Sequence, residues 1–412
     1  MLNDPLRTSP CFYGIIPTSN SMLPKKGLDL KNRQLTVLAV CLAMAGLAMA
    51  ETVVDVTGAG SAKIPVRIDV ANAAYASSLK RNLELSGAFV VSKSGAVTVT
   101  SGPDLSIRAT GRGKQLTDRG AIADDASARM AARRFADAMC ENYAGQKGFA
   151  CDRIAFVSDK GRGVKELCAC YPDGGDIRQL TSDGKIVVGP RWKDANTIFY
   201  TRYVNGGPEI WQLDTARQRR EKVLHLAGLN TGAAVSPDGR RMATILSFQG
   251  NPELYVIDLV TRKWIRLTET KNASEGQPSW SPDGRKLVYV SDEARRPQLY
   301  VVDVATRQKR VLTRKGSQSV DPDWGRDGRI AYISKEAGQS RVAVIDPADG
   351  EGARKLVTEP GSWAHPSWAR DGRHVVASRD KALFVVDVDD ATAKPAAVFV
   401  SKGNWITPSW SK

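Results

Sequence analysis

A repeat architecture of short strands, preceded by a small α/β segment, is the fold class the sequence predicts, and three observations predict it. The first is a phrase that returns about every 44 residues. Its clearest copy is Gln277-Pro278-Ser279-Trp280-Ser281-Pro282-Asp283-Gly284; others carry Asp238-Gly239, Asp327-Gly328 and Asp371-Gly372, and a worn copy holds Asp194-Ala195-Asn196. A strand-rich period of this length suits propeller blades. The second is a ladder of apolar runs ending in Asp214, Asp258, Asp303, Asp346 and Asp387, which keeps the same register. The third lies at the ends of the array. The opening repeat has Arg153–Val157 and Leu167–Cys170 but no Pro-x-Trp strand before them; Pro408-Ser409-Trp410 supplies it from the far end. The expected fold is therefore a small α/β N-terminal domain followed by an all-β six-bladed propeller over 149–412. Its first blade is closed by the C-terminal strand, which leaves no open sheet edge.

One repeat carries the content of one blade. Pro282-Asp283-Gly284 is turn punctuation: Pro presets φ, Asp bonds its own backbone and Gly takes φ > 0. Leu287–Val290, Leu299–Asp303 and Arg310–Thr313 follow as strands, which with Pro278–Trp280 makes four. The repeated Asp283 type is thus expected to be structural, and Trp192, Trp280, Trp324, Trp368 and Trp410 to pack between blades rather than to form a carbohydrate platform.

Residues 1–50 read as a leader. Lys25, Lys26, Lys31 and Arg33 precede the apolar Leu35–Leu47, and Ala48-Met49-Ala50 offers a small-x-small exit. This is the pattern of a cleaved secretory signal, with Met22 as an alternative start. Cleavage before Glu51 frees a tether over 51–63. Residues 64–148 are expected to form the α/β domain: a strand at Ile64–Val70, a helix at Ala71–Ser86, strands at Phe89–Val91, Val97–Val99 and Leu105–Ile107, and a helix at Asp124–Tyr143 capped by Asp124 or Asp125.

The chain holds 59 Lys and Arg against 44 Asp and Glu, a formal +15, and +12 without the leader. The basic residues are scattered through blade turns without an aromatic platform, so nucleic acid is not the expected partner. No stretch after the leader is long and apolar enough to span a bilayer. The chain is read as an exported monomer. Cys140, Cys151, Cys168 and Cys170 remain beyond the leader, with Cys140–Cys151 the favoured disulfide among three pairings. Cys168-x-Cys170 lacks zinc spacing. His225, His365 and His374 have no ligand partner at metal spacing, and no Gly-x-Ser-x-Gly elbow is present. No metal, cofactor or catalytic residue is expected.

Several phrases resemble the TolB family, periplasmic propellers of the Tol–Pal envelope system. They are Leu79-Lys80-Arg81-Asn82-Leu83 through Ser86-Gly87-Ala88-Phe89, Lys147-Gly148-Phe149 through Arg153-Ile154-Ala155-Phe156-Val157, Asn251-Pro252-Glu253-Leu254-Tyr255-Val256-Ile257-Asp258-Leu259, and Gly316-Ser317-Gln318 with Asp321-Pro322-Asp323. The resemblance covers 51–412 and implies a binding protein, not an enzyme, that supports outer-membrane integrity and cell division. It implies that a Pal-like peptidoglycan-associated lipoprotein binds loops before the Pro-x-Trp strands: Gly189, Asn230, Thr231, Gly276, Gln277, Val320, Asp321, His365 and Thr407. It also implies that a TolA-like partner meets the freed N-terminal peptide Glu51, Thr52, Val53, Val54, Asp55, Val56 and Thr57. The match at the rim is partial: Gln277 stands where the family often has an acid, and Asp321 agrees best. The competing expectation is a periplasmic propeller enzyme acting on glycan or peptide, with His365 and Asp321 at the channel mouth.

Overall fold

The computed structural model describes residues 62–102, 106–120, 122–390, 392–399 and 403–411. The leader and the Glu51–Thr57 peptide lie outside the described residues. No helix among the described residues is long and apolar enough to cross a membrane.

The first part is a five-stranded sheet with two helices. Strand β1 (Ile64–Asp69) runs parallel to β2 (Phe89–Val91) and to β3 (Val97–Ser101); β4 (Ile107–Gly111) and β5 (Lys114–Asp118) continue antiparallel, in the order β2-β1-β3-β4-β5. Helix α1 (Ala73–Leu85) starts where the Asn72 side chain accepts the Tyr75 amide, and buries Tyr75, Leu79 and Leu83 at i, i+4 and i+8. Helix α2 (Asp125–Met139) starts in a capping box between Asp124 and Ser127, and Ala128, Ala132, Phe135 and Met139 pack against the sheet. It continues through a wider turn, Cys140–Ala144, which Gly145 ends at φ 66°. The strand expected at Leu105–Ile107 begins at its last residue, and β5 is an addition. Lys114-Gln115-Leu116-Thr117-Asp118 shows little of its alternation because it is an edge strand with mostly exposed side chains.

The remainder is a propeller. Four separate antiparallel sheets of four strands each cover 230–266, 275–311, 318–356 and 364–397. The sheet starting at Glu275 shows the plan: Glu275–Trp280, Lys286–Ser291, Gln298–Asp303 and Lys309–Val311, each hydrogen-bonded to the next. The other strands form one larger sheet. Strand β6 (Ile154–Gly161) pairs with β7 (Val164–Cys170) on one side and with Trp405–Trp410 on the other, in the register Ile154–Trp410 and Val157–Ile406. The meander Ile186–Trp192, Thr197–Val204, Gly207–Asp214 and Arg219–Leu224 joins β7 through a single parallel pair, Lys165–Ile186. Two separate blades were expected here. The connector returning to Ile186 lies so close to β7 that the Lys165 amide bonds the Lys185 carbonyl, which merges them.

The repeated aspartates make turns. Asp283 accepts the Ser281 hydroxyl at 2.6 Å and the Arg285 amide at 3.0 Å, while Gly284 takes φ 67°. Asp238 does the same with Ser236 and Arg240. The second ladder caps the other end: Asp303 accepts the Ala305 and Thr306 amides, and Asp258 those of Val260 and Thr261. Trp280, Trp324, Trp368 and Trp410 are buried between sheets, and the Trp280 indole donates to the Ala234 carbonyl at 2.9 Å. Arg241 lies 4.8 Å over Trp280, and Arg329 lies 5.2 Å over Trp368.

The α/β part is fastened to the propeller through charge. Arg133 of α2 is fully buried, grips Asp173 through two bonds of 3.0 Å and Asp176 through one of 2.6 Å, and stacks 3.9 Å over Tyr171. From α1, Ser78 and Asn82 add bonds to Asp173. The expected Cys140–Cys151 bridge is not formed: all four described cysteines are free. The connector is held by another group. The Asp137 carboxylate accepts the Ala150 amide at 2.7 Å and the Cys151 amide at 3.1 Å, and burial pushes both the Cys140 and the Cys151 thiol up to about 12.

Candidate functional site at the mouth of the central cavity

The five strands that precede the Asp-turns, and Trp405–Trp410, share one irregularity. Gly189, Gly232, Gln277, Asp321, His365 and Thr407 occupy equivalent positions, and all take positive φ between 48° and 70°. The ladder to the next strand slips at each of these places, for example between Gly276 and Ser279 and between Val320 and Asp323. Each is a β-bulge, which re-aims the side chains around it. Gly is the residue that takes this conformation without cost. Four of the six are not Gly, and Thr407 is β-branched, so the chain accepts strain here.

The bulges turn side chains toward one another around the ring of strands. Gln277 donates from its side-chain amide to Asp321 Oδ1 and accepts the Asp321 amide at 2.9 Å. The second Asp321 oxygen accepts the His365 amide at 2.9 Å, and His365 Nδ1 lies 3.1 Å from Oδ1. Burial would raise the Asp321 carboxyl, but the His365 imidazole and amide, with the charge of Arg191, outweigh it and hold the group down to about 2. Asp321 is 7% exposed, whereas the His365 side chain is 37% exposed and offers a polar edge outward.

Two residues deeper, Arg191, Ala234, Ser279, Asp323, Ser367 and Ser409 line a cavity of about 500 Å³. Asp323 takes the Ser279 and Ser367 hydroxyls at 3.2 and 3.3 Å and the Trp368 amide at 2.8 Å. Arg191, Lys193 and Arg326 supply the cations of the lining.

The residues singled out from sequence fall unevenly on this geometry. Gln277, Asp321 and His365 are brought together as one hydrogen-bonded run, and Gly189 and Thr407 stand at equivalent bulges. Gly276 precedes a bulge, and Val320 turns into an apolar cluster. Asn230 is buried and ties its own loop together through the Leu226 amide and the Leu226 and Gly228 carbonyls. Thr231 faces Thr201 at 3.3 Å. Gly232 holds the place assigned to these two; without a following Pro, its strand lacked the marker that the others carry. Arg191 was also missed, although it sits two residues after Gly189, as Asp323 does after Asp321. His374 is a core residue, buried against Phe149 and 2.6 Å from Asp371. No group of three metal-ligating side chains occurs among the described residues.

Antiparallel four-stranded meanders whose first strands line a shared cavity define a β-propeller with a polar, strained mouth. The model of the TolB beta propeller domain matches residues 140–412, and the chain belongs to that family. Among curated relatives, the Tol-Pal system protein TolB of Desulfosudis oleivorans is 33% identical over 144 residues, 33% of this chain and 32% of that protein. The Tol-Pal system protein TolB of Anaeromyxobacter dehalogenans (strain 2CP-1) is 32% identical over 161 residues, 38% of this chain and 36% of that protein. The matches thus span about a third of the length of these relatives. The crystal structure of TolB from Acinetobacter baumannii superposes with a TM-score of 0.74 over 85% of this chain and 96% of that one, at 23% identity, a likeness of fold.

Proposed function

We propose that this chain is a non-enzymatic, exported binding component of a Tol-Pal system. It is a six-bladed ring closed by Trp405–Trp410, which holds a Pal-like lipoprotein at the cavity mouth. The pairing of Trp405–Trp410 with β6 supports closure, as does its contact with both Ala364–Trp368 and Ile186–Trp192. The organisation proposed is a leader over 1–50, a tether over 51–63 whose Glu51–Thr57 meets a TolA-like partner in the periplasm, an α/β domain over 64–148, and the propeller over 149–412. Outer-membrane integrity and cell division are the processes it serves.

The observation that carries this reading is the run Gln277–Asp321–His365. Strain of order 1–3 kcal/mol per residue is tolerated at the mouth, and it presents hydrogen-bonding edges around a cavity. Among the described residues the His365–Asp321 pair is bonded to Gln277 and to no Ser, Thr or Cys side chain, which supports a binding role. The test is affinity capture from detergent-solubilised envelope, with the full-length exported chain as bait. Recovery of a peptidoglycan-associated lipoprotein, reduced by His365→Lys in a variant that keeps the wild-type melting curve, is the expected result. A folded bait that recovers no such lipoprotein overturns the reading.

A further inference from the structure

The mouth is not uniform, and its asymmetry points to what enters it. Gln277, Asp321, His365 and Thr407 carry side chains at the bulge positions, whereas Gly189 and Gly232, on adjacent meanders, carry none. A Cβ at Gly189 would meet nothing within 4 Å. The fence around the cavity therefore has a notch over Gly189; at Gly232 a Cβ would meet Pro278 at 3.1 Å, so that position is filled by the neighbouring strand. Arg191, on the strand that carries Gly189, is half-buried and lines the cavity; its backbone pairs with Phe199, and its side chain makes no hydrogen bond or ion pair among the described residues. Its charge is felt at Asp321.

The acids of the cavity are already engaged. Both Asp321 oxygens are taken by Gln277 and His365, and Asp323 accepts two hydroxyls and an amide. Arg191 is thus a cation held partly out of water with its planar fork of donors unmatched. A carboxylate is the group that matches that fork in shape and charge. Lys193 and Arg326, farther along the same lining, add to the positive field.

We infer that the notch over Gly189 admits an acidic side chain on a loop of the protein partner, and that Arg191, on the same strand, receives its carboxylate. This rests on the proposed function, because it names the chemistry that the partner must bring to the same mouth. Arg191 is then a specificity-determining residue on the chain's side of the interface, and the four-residue fence sets which way the incoming loop lies.

The test titrates the full chain with N-acetyl-glutamate methylamide and with its neutral glutamine counterpart, observed by saturation-transfer NMR. The acidic probe is expected to bind in the millimolar range, about −4 kcal/mol or weaker, and the neutral probe not to saturate. Arg191→Gln is expected to weaken the acidic probe by at least about fivefold, with Arg191→Lys in between. The melting curve should shift only slightly, because the Arg191 side chain has no hydrogen bond or ion pair among the described residues and its charge acts on Asp321 more weakly than burial or His365 does. Equal binding of the acidic probe by wild type and Arg191→Gln overturns the inference, as does no binding by wild type at about 50 mM. Capture of the lipoprotein separates the two readings. Undiminished capture by Arg191→Glu removes the inference and leaves the rim reading standing. Failure of wild-type capture removes the rim reading, and the probe titration then decides the fate of Arg191 alone.

Discussion

Two buried carboxyls, Asp321 and Glu275, should give the chain opposite responses to pH. Asp321 is held down to about 2 in the folded chain, below its value of about 4 when unfolded. The unfolded chain therefore takes up the proton first as pH falls. The contribution, about 2 kcal/mol, is complete above pH 4 and lost on going down to pH 2. Asp321→Asn should lose about that much at pH 7 and flatten the acid limb of a denaturation series. Glu275 behaves the other way: burial pushes its carboxyl up to about 7, with the Ser291 hydroxyl opposing. Folded Glu275 keeps its proton while the unfolded chain releases it near 4.5, so stability falls as pH rises from about 4.5 to 7. Glu275→Gln should stabilise the chain by on the order of 2–3 kcal/mol at pH 8 and by little at pH 4; equal effects at both values would contradict the assignment. Neither carboxyl declares this in the sequence. Asp321 looks like any turn acid, and its partners Gln277 and His365 each stand 44 residues away.

At the scale of the element, the bulged strand is the feature to test. Its left-handed residue costs little when it is Gly and about 1–3 kcal/mol otherwise. Thr407→Gly should therefore raise stability by about 1 kcal/mol, and Gly189→Thr should lower it by a similar amount; denaturant melts of the two variants measure both. The turns were legible in the sequence because Ser-Pro-Asp-Gly names each participant: the Asp283 acceptor, the Gly284 conformation and the Ser281 hydroxyl all lie within four residues. The bulges were only half legible. A Pro following Gly189, Gln277, Asp321, His365 and Thr407 marks the place, but Pro steers the residue before it toward extended backbone with negative φ, so the positive φ found at each of them runs against the local signal. Strand β5 escaped because an edge strand with a single half-buried Leu116 gives no alternation to read.

For the whole molecule, the junction between α/β part and propeller is the joint under most demand. Arg133 neutralises the buried Asp173 and shares the partly exposed Asp176 with Arg129. Removing it leaves Asp173 without its cation, while Asp176 keeps Arg129 at 2.7 Å, a loss of roughly 3–5 kcal/mol by the usual cost of breaking a buried pair. Arg133→Met should split thermal unfolding into two transitions and open the connector near Gly145–Gly148 to protease; a single unshifted transition would show the joint to be held by packing alone. Sequence reasoning placed a bridge of sulfur at this joint, and the protein uses Asp137 and Arg133 instead. Cysteine spacing suggested the first, whereas the second depends on pairings 40 residues apart that no local pattern announces. The pairing of Trp405–Trp410 with β6 has a consequence in time. The Trp410 indole meets Asp152 across 258 residues of sequence, so β6 waits for its neighbour until the whole span between them has reached the place where the chain folds. A product cut short leaves β6 with a bare edge, an invitation to proteases and to self-association. Trp405–Trp410 therefore acts as an inspection of β6: only a chain that carries this distant strand covers that edge.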